Sequence, residues 1–249
     1  MGSSATKVVL LDGSQTLKGK AILESGMDFA SASDAALEAA LGESGAEIGD
    51  VARVISTGYG RKNVSFAGST KTEIACHARG AYHHFPAAMS IIDIGGQDNK
   101  IINVDAAGNR IDFKMNRKCA AGTGAFLEEI ARRMDVAIGD MEPLARKSTE
   151  VVEIGSFCTV FSATEILALI RRGARIPDIA RGAFRSVVKR VTEMGSFPGA
   201  VVATGGVVAH NPIVVELLGE AVGREVKTPP YAQYAGALGA ALYAADETD

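Results

Sequence analysis

Several common features are scarce or missing in this 249-residue chain, and each absence excludes a class of protein. The only cysteines are Cys76, Cys119 and Cys158, an odd and widely spaced set that argues against a disulfide framework and for a reducing compartment. No apolar run approaches the ~20 residues of a membrane span, and the N-terminus lacks a signal-peptide pattern. The formal net charge of −3 gives no electrostatic case for nucleic acid. We therefore expect a cytoplasmic protein that binds neither membrane nor nucleic acid.

The remaining composition is that of a globular protein, with 47% hydrophobic residues and 28 glycines. That is enough to form one large core or two small ones. Apolar patterns predict strands at 51–56, 90–94, 100–104, 200–203 and 222–227, and helices at 32–41, 72–82, 161–170, 179–194 and 235–245. Glycine-containing turns follow predicted strands in both halves of the chain. This arrangement predicts a duplicated α/β domain with a nucleotide cleft between its halves.

The turn that follows the strand at 90–94 is the clearest candidate for contact with phosphate. Gly95 and Gly96 have no Cβ, so their backbone can approach a phosphate closely. Asp93 at the end of the strand is suited to orienting a metal-bound or attacking water. An ordinary glycine hairpin remains an equal alternative, because such turns are common for conformational reasons alone. Residues 1–7 form a weaker candidate, a small hydroxyl-rich turn that ends in Lys7 and offers donors to phosphate.

Cys119 heads a small-residue turn that leads directly into a helical pattern at 126–134. We predict that Thr123 caps this helix, and a thiol close to a helix N-terminus favours the thiolate form that binds metal. A buried structural cysteine is the alternative. Cys158 lies near the end of a predicted strand or loop at 151–160. Cys76 and its neighbour His77 diverge by ~100° around a helix, so we predict that both are packing residues.

Motifs along nearly the whole chain point to one family. These motifs are MGSSATK, STGYGR, TEIACHARGA, DIGGQD, NRKCAAGTGAFLE, CTVF, ATGGVVAHN and AQYAGALGAALYA. Together they resemble the ATP-dependent activators of 2-hydroxyacyl-CoA dehydratases and the related ATPase subunits of benzoyl-CoA reductase. The most specific element is KCAAGTG followed by CTVF roughly forty residues later.

The resemblance implies a two-domain α/β ATPase fold of the actin and Hsp70 type, a duplicated ribonuclease H-like architecture. Residues 1–88 would form the first subdomain, with the helix at 235–249 packing back on it, and residues 89–234 the second. It also implies a homodimer that shares one [4Fe-4S] cluster, held by Cys119 and Cys158 of each subunit. The partner would be a CoA-ester dehydratase or reductase, and a ferredoxin or flavodoxin would supply electrons.

The resemblance further implies that ATP and Mg²⁺ bind in the cleft, with Asp93 and Gln97 as catalytic residues. Nucleotide contacts would come from Ser3, Ser4, Thr6, Lys7, Gly95, Gly96, Gly205, Gly206 and Gln233. Members of the family open with a strand and an Asp-x-Gly, whereas this sequence starts within that motif, so we expect weak hydrolysis. Two other functions stay open, a kinase-like phosphotransferase and a non-redox nucleotide-binding module of the same superfamily. Neither would need Cys119 and Cys158, so iron content distinguishes them from an activator.

Overall fold

The computed structural model describes residues 1–116, 118–155 and 158–247. It contains two compact units. The first unit consists of Met1–Ala88, Val104–Ile111 and Gln233–Asp249, and the second consists of Met89–Asn103 and Asp112–Ala232. No helix among the described residues is long and apolar enough to cross a membrane.

Short runs of strands are followed by one or more helices along the chain. The strands are β1 (Ala5–Leu11), β2 (Leu17–Glu24), β3 (Ile55–Ser56), β4 (Ser69–Thr70), β5 (Met89–Ile94), β6 (Asn99–Val104), β7 (Arg110–Asn116), β8 (Ala200–Thr204) and β9 (Val226–Lys227). The helices are α1 (Phe29–Ser44), α2 (Glu73–His84), α3 (Gly124–Arg133), α4 (Met141–Ala145), α5 (Thr159–Arg171), α6 (Ile176–Thr192), α7 (Gly206–His210), α8 (Pro212–Val222) and α9 (Ala235–Asp246).

In the first unit, β1 and β2 form an antiparallel hairpin and β3 pairs with β4 in parallel. Helix α1 begins at an N-cap, Asp28, whose side chain accepts a hydrogen bond from the Ser31 N–H, and it ends at Gly45 in the left-handed conformation. Helices α2 and α9 pack closely on each other. Small residues make this possible, because a Cβ on Gly239 of α9 would lie 1.8 Å from the carbonyl oxygen of Cys76 in α2.

We expect Gly239→Ala to lower the stability of the protein by more than about 2 kcal/mol, because the added methyl group forces α2 and α9 apart. Gly42→Ala is the matched control, since Gly42 lies within α1 and an added Cβ there meets nothing within 4 Å. The control should stabilise the protein by about 0.5–1 kcal/mol through higher helix propensity. Chemical denaturation of the two variants measures both changes. Equal stability of the two variants would contradict this account of the α2–α9 contact.

The second unit is built on a five-stranded sheet with the order β7-β6-β5-β8-β9. Strands β5, β8 and β9 run parallel, whereas the four-residue connection between the neighbouring strands β5 and β6 makes them a hairpin. Every residue of β5 and β6 is buried, as expected for strands covered on both faces. Helices α3, α6 and α8 contribute Phe126, Phe184 and Leu218 to the core of this unit, which also includes Ile92 and Ile94 of β5.

The structure confirms the long helices and the central strands that the sequence predicts, and it corrects several shorter elements. The predicted strand at 51–56 is only Ile55–Ser56, and the one at 222–227 is only Val226–Lys227, because α8 continues to Val222 and ends at Gly223 in the left-handed conformation. The sequence predictions do not include β2, β4 or β7. β7 is largely exposed, so it lacks the apolar run that marks the central strands. The strand or loop predicted at 151–160 includes Ser156 and Phe157, which lie outside the described residues.

Candidate nucleotide site and cysteine turn

The carboxylate of Asp93 is held by side chains from two neighbouring strands. It is 3% exposed and lies near the end of β5. Its Oδ2 accepts a hydrogen bond from the Nζ of Lys100 in β6 at 3.0 Å, and its Oδ1 accepts one from the Oγ1 of Thr204 in β8 at 3.0 Å. Donors from two neighbouring strands therefore fix the orientation of the carboxylate, and the ammonium favours its ionised form.

The hairpin between β5 and β6 has the tight geometry that its glycines predict. The Gly95 N–H donates to the carbonyl oxygen of Asp98 at 2.9 Å, which closes the turn. Gly95 and Gly96 are half-buried, whereas Gln97 is exposed at the tip. The turn therefore combines an accessible amide side chain with a backbone that no Cβ of Gly95 or Gly96 covers. We call residues 95–98 the phosphate hairpin, after its predicted role.

Gly205 follows β8 at the equivalent end of the neighbouring strand. Its φ of +99° lies in the region that favours glycine, and a Cβ there would lie 2.3 Å from the carbonyl oxygen of Ile94. It precedes the half-buried Gly206, the first residue of α7, and donates its N–H to the carbonyl oxygen of Ala232 at 3.1 Å. Gln233 is half-buried in the short 3-10 helix Ala232–Tyr234.

The N-terminal residues do not form the single hydroxyl-rich turn that the sequence suggests. Ser3 and Ser4 are exposed ahead of β1, and Lys7 is half-buried within β1. Thr6 is only 2% exposed, and its hydroxyl lies 3.0 Å from the Oγ of Ser25 and donates to the Sδ of Met1. A hydroxyl engaged in this way is not open to a ligand, so we assign Thr6 a structural role within the first unit.

The three cysteines lie in different environments. Cys119 is exposed in the turn ahead of α3, and Cys158 is half-buried at the N-cap of α5. Cys76 is fully buried in α2, where burial raises the pKa of its thiol. Among these three thiols, only Cys119 and Cys158 are accessible to an external ligand, and both belong to the second unit.

Side-chain donors hold the carbonyl groups of the cysteine turn, which we define as residues 119–123. The Asn116 amide donates to the carbonyl oxygens of Cys119 at 3.1 Å and Ala121 at 3.4 Å. The Thr123 hydroxyl donates to the Ala120 carbonyl oxygen at 2.6 Å, so Thr123 occupies the predicted N-cap position of α3 without the predicted side-chain cap bond. These bonds fix the conformation of the turn that carries Cys119.

The phosphate hairpin and the start of α3 are connected directly by hydrogen bonds. The N–H groups of Gly124 and Ala125 donate to the carbonyl oxygens of Gly95 and Gly96, each at 2.9 Å. The amide of Asn99, which is fully buried at the start of β6, donates to the Gly122 carbonyl oxygen at 2.7 Å. Two N–H groups of the α3 N-terminus are thus used by the hairpin, which the sequence analysis did not anticipate. The first two bonds join the hairpin to the start of α3, and the third joins β6, the strand that follows the hairpin, to the cysteine turn.

Three site residues are absent from the sequence predictions: Lys100, Thr204 and Asn99. Lys100 could have been found, because a lysine within the apolar strand NKIINV of β6 requires a buried counter-charge. The roles of Thr204 and Asn99 depend on which strands and turns become neighbours in the fold, which no local pattern reveals.

Comparison with known proteins identifies the family. The BadF/BadG/BcrA/BcrD ATPase family matches residues 1–244. The chain belongs to this family. Over 250 residues it is 39% identical to the 2-hydroxyisocaproyl-CoA dehydratase activator of Clostridioides difficile, covering 99% of this chain and 93% of that protein. A subunit of benzoyl-CoA reductase from Thauera aromatica is more distant, 31% identical over 214 residues that cover 82% of this chain and 75% of that protein.

Solved structures of relatives have the same architecture. The family member most relevant to ATP is an activator of 2-hydroxyisocaproyl-CoA dehydratase from Clostridium difficile with bound ADPNP, which has a TM-score of 0.91, is 38% identical, and covers 99% of this chain and 92% of that one. Component A of (R)-2-hydroxyglutaryl-CoA dehydratase from Acidaminococcus fermentans has a TM-score of 0.94, is 40% identical, and covers 99% of this chain and 95% of that one. The family member described here therefore has the actin/Hsp70-like ATPase fold that its motifs imply.

Proposed function

We propose that this family member is an ATP-driven electron-transfer activator of a 2-hydroxyacyl-CoA dehydratase. The observation that carries the proposal is the direct hydrogen bonding between the phosphate hairpin and the start of α3, which follows the exposed Cys119 by five residues. Such a connection is what an ATPase needs if nucleotide turnover is to act on a redox group. Relatives about 40% identical, whose names describe dehydratase activators, support the same assignment.

In this proposal Asp93 is the ionised acceptor that orients the attacking water or a water on Mg²⁺, and Gln97 assists from the tip of the hairpin. Gly95 and Gly96 lie against the β- and γ-phosphates. Gly205 and Gly206 run beneath the nucleoside and the α-phosphate. Remaining nucleotide contacts are assigned to Ser3, Ser4, Lys7 and Gln233.

The cysteines are suited to holding an iron–sulfur cluster. Cys119 and Cys158 are accessible thiols in one unit, and the cysteine turn is held in a fixed conformation by its own side-chain donors. Cys158 also lies at the N-cap of the thirteen-residue helix α5, whose dipole favours negative charge there. When bound, a [4Fe-4S] cluster supplies one-electron redox chemistry. Because such a cluster takes four thiolates, the two accessible cysteines of each chain imply one cluster per homodimer.

The remaining partners follow from that chemistry. A ferredoxin or flavodoxin would supply the electron, and a CoA-ester dehydratase would receive it, all in the cytoplasm. A benzoyl-CoA reductase-type partner is the second candidate, favoured by the similarity to the Thauera aromatica reductase subunit. Mixing the same reduced, iron-loaded protein with each candidate partner shows which of the two enzymes it activates.

The oligomeric state of the protein tests whether two subunits share one cluster. We expect reduced, iron-loaded protein to sediment as a dimer, because each chain supplies two of the four thiolates. Air exposure followed by chelation should shift it towards the monomer, since removal of the cluster removes the covalent link between subunits. A moderate increase in salt, the control treatment, should shift it far less. An iron-loaded monomer would exclude a cluster shared between two subunits.

A further inference from the structure

Lys100 is a fully buried lysine in the second unit. It is among the largest of the fully buried side chains, only 1% exposed, and it lies in β6 immediately before Ile101 and Ile102. Fully buried lysines are rare, because an ammonium loses its hydration and needs a buried counter-charge to remain ionised. A residue of this kind in a central strand requires an explanation beyond packing.

The Lys100 ammonium bridges two carboxylates of the phosphate hairpin region. Its Nζ lies 3.0 Å from Oδ2 of Asp93 and 2.8 Å from Oδ1 of Asp98. Asp98 is partly exposed, with a side chain that is 26% accessible, whereas Asp93 is buried. The Lys100 ammonium therefore links Asp93, which lies two positions before the hairpin, with Asp98, the last residue of the hairpin.

Two carboxylates that share one ammonium repel each other, and the buried one, Asp93, needs a positive charge between them to stay ionised. With Lys100 present, the three groups carry a net charge of about −1, and Asp93 remains an acceptor. The second donor to Asp93, the Thr204 hydroxyl, fixes orientation but adds no charge. Of these two donors to Asp93, only Lys100 therefore supplies the positive charge that keeps the carboxylate ionised.

We propose that Lys100 is a positioning residue for ATP hydrolysis, a cation built into the chain that keeps Asp93 ionised and aimed while the phosphate hairpin holds the nucleotide. The inference rests on the role proposed above for Asp93. Lys100 acts through Asp93 and not by touching the nucleotide, so its loss should affect turnover more than binding. The distinction can be measured, because binding and turnover respond separately.

The first test compares Lys100→Ala, which leaves space, with Lys100→Met, which fills it with an apolar chain. We expect both variants to hydrolyse radiolabelled ATP about 100-fold more slowly than the parent, the usual effect of removing one preorganised electrostatic group. The KM for Mg·ATP should stay within about threefold of the parent value, because the hairpin glycines and Gly205 are unchanged. Loss of turnover together with an equal loss of nucleotide binding would overturn the proposal.

The second test restores the missing charge from solution. Propylammonium has the carbons and the ammonium that Lys100→Ala lacks, so it should raise turnover of that variant by at least about tenfold. It should not rescue Lys100→Met, where the space is filled. Propanol and tetramethylammonium are the controls, since the first has no charge and the second has no N–H donor. Loss of turnover in a folded Lys100→Ala variant that propylammonium does not relieve would overturn the proposal.

If Lys100→Ala does not fold, Lys100→Arg carries the test, because guanidinium keeps the charge and the donors. Higher turnover in Lys100→Arg than in Lys100→Met supports the proposal, and equal loss in both overturns it. Asp93→Asn is measured alongside. Full turnover in Asp93→Asn would refute the role proposed for Asp93, whereas an inactive Asp93→Asn beside a fully active Lys100→Met would overturn only the inference about Lys100.

Discussion

Cys119→Ser and Cys158→Ser are each expected to abolish iron binding, whereas Cys76→Ser should leave it intact. A serine hydroxyl is a poor replacement for a thiolate ligand, and loss of one ligand per chain removes two of the four in a shared cluster. Cys119 and Cys158 are accessible, but Cys76 is fully buried in α2 and belongs to the other unit. Anaerobic purification followed by iron and acid-labile sulfide assays gives the result.

The parent and Cys76→Ser should contain about four irons per dimer, and the other two variants should contain almost none. Melting temperatures of all four proteins control for misfolding, which matters most for Cys76 because of its buried position against α9. Full iron content in either Cys119→Ser or Cys158→Ser would contradict the assignment of the ligands. Loss of iron in a folded Cys76→Ser would show that the buried cysteine has a role that its position does not suggest.

Asp93→Asn is expected to lower ATP hydrolysis by about 100-fold or more while nucleotide binding changes little. The amide keeps the size of the side chain but loses the negative charge that orients water near the γ-phosphate. Asp112→Asn is the matched control. Its carboxylate, on the exposed strand β7, accepts a hydrogen bond from the Asn103 amide, and this variant should retain the parent rate.

Phosphate release from radiolabelled ATP measures the rate, and titration with ADPNP measures binding. Melting curves are needed as well, because the substitution leaves Lys100 with one fewer carboxylate. Parent-like hydrolysis in Asp93→Asn would show that another group orients the water. Loss of ADPNP binding would place Asp93 in nucleotide binding and not in turnover.

The sequence predicts the elements whose signals are local. A continuous apolar run marks β5, and three- and four-residue spacing marks the buried face of α3, so both predictions agree with the structure to within a few residues. The same reasoning fails for β7, because an exposed edge strand has no buried face to impose a pattern. It also fails for Thr123, whose hydroxyl donates to the Ala120 carbonyl oxygen instead of capping α3.

The residues of the candidate site also divide into those with a local sequence signal and those without one. Asp93 and the glycines of the hairpin can be identified from sequence because each has a local chemical reason to follow a strand. The partners of Asp93 come from β6 and β8, and Thr204 is separated from Asp93 by more than 100 residues of sequence. The bonds from the hairpin to the start of α3 are equally invisible in the sequence, because they join backbone groups whose meeting depends on the packing of α3 in the second unit.

We propose that ATP hydrolysis drives an electron from this protein to a CoA-ester dehydratase. The test mixes reduced, iron-loaded protein with a 2-hydroxyacyl-CoA dehydratase under anaerobic conditions. Electron paramagnetic resonance spectra then record how fast the signal of the reduced protein disappears. We predict loss of the signal with Mg·ATP, and little or none without nucleotide, with ADPNP, or with Asp93→Asn. Electron transfer at the same rate in the absence of nucleotide would contradict the claim.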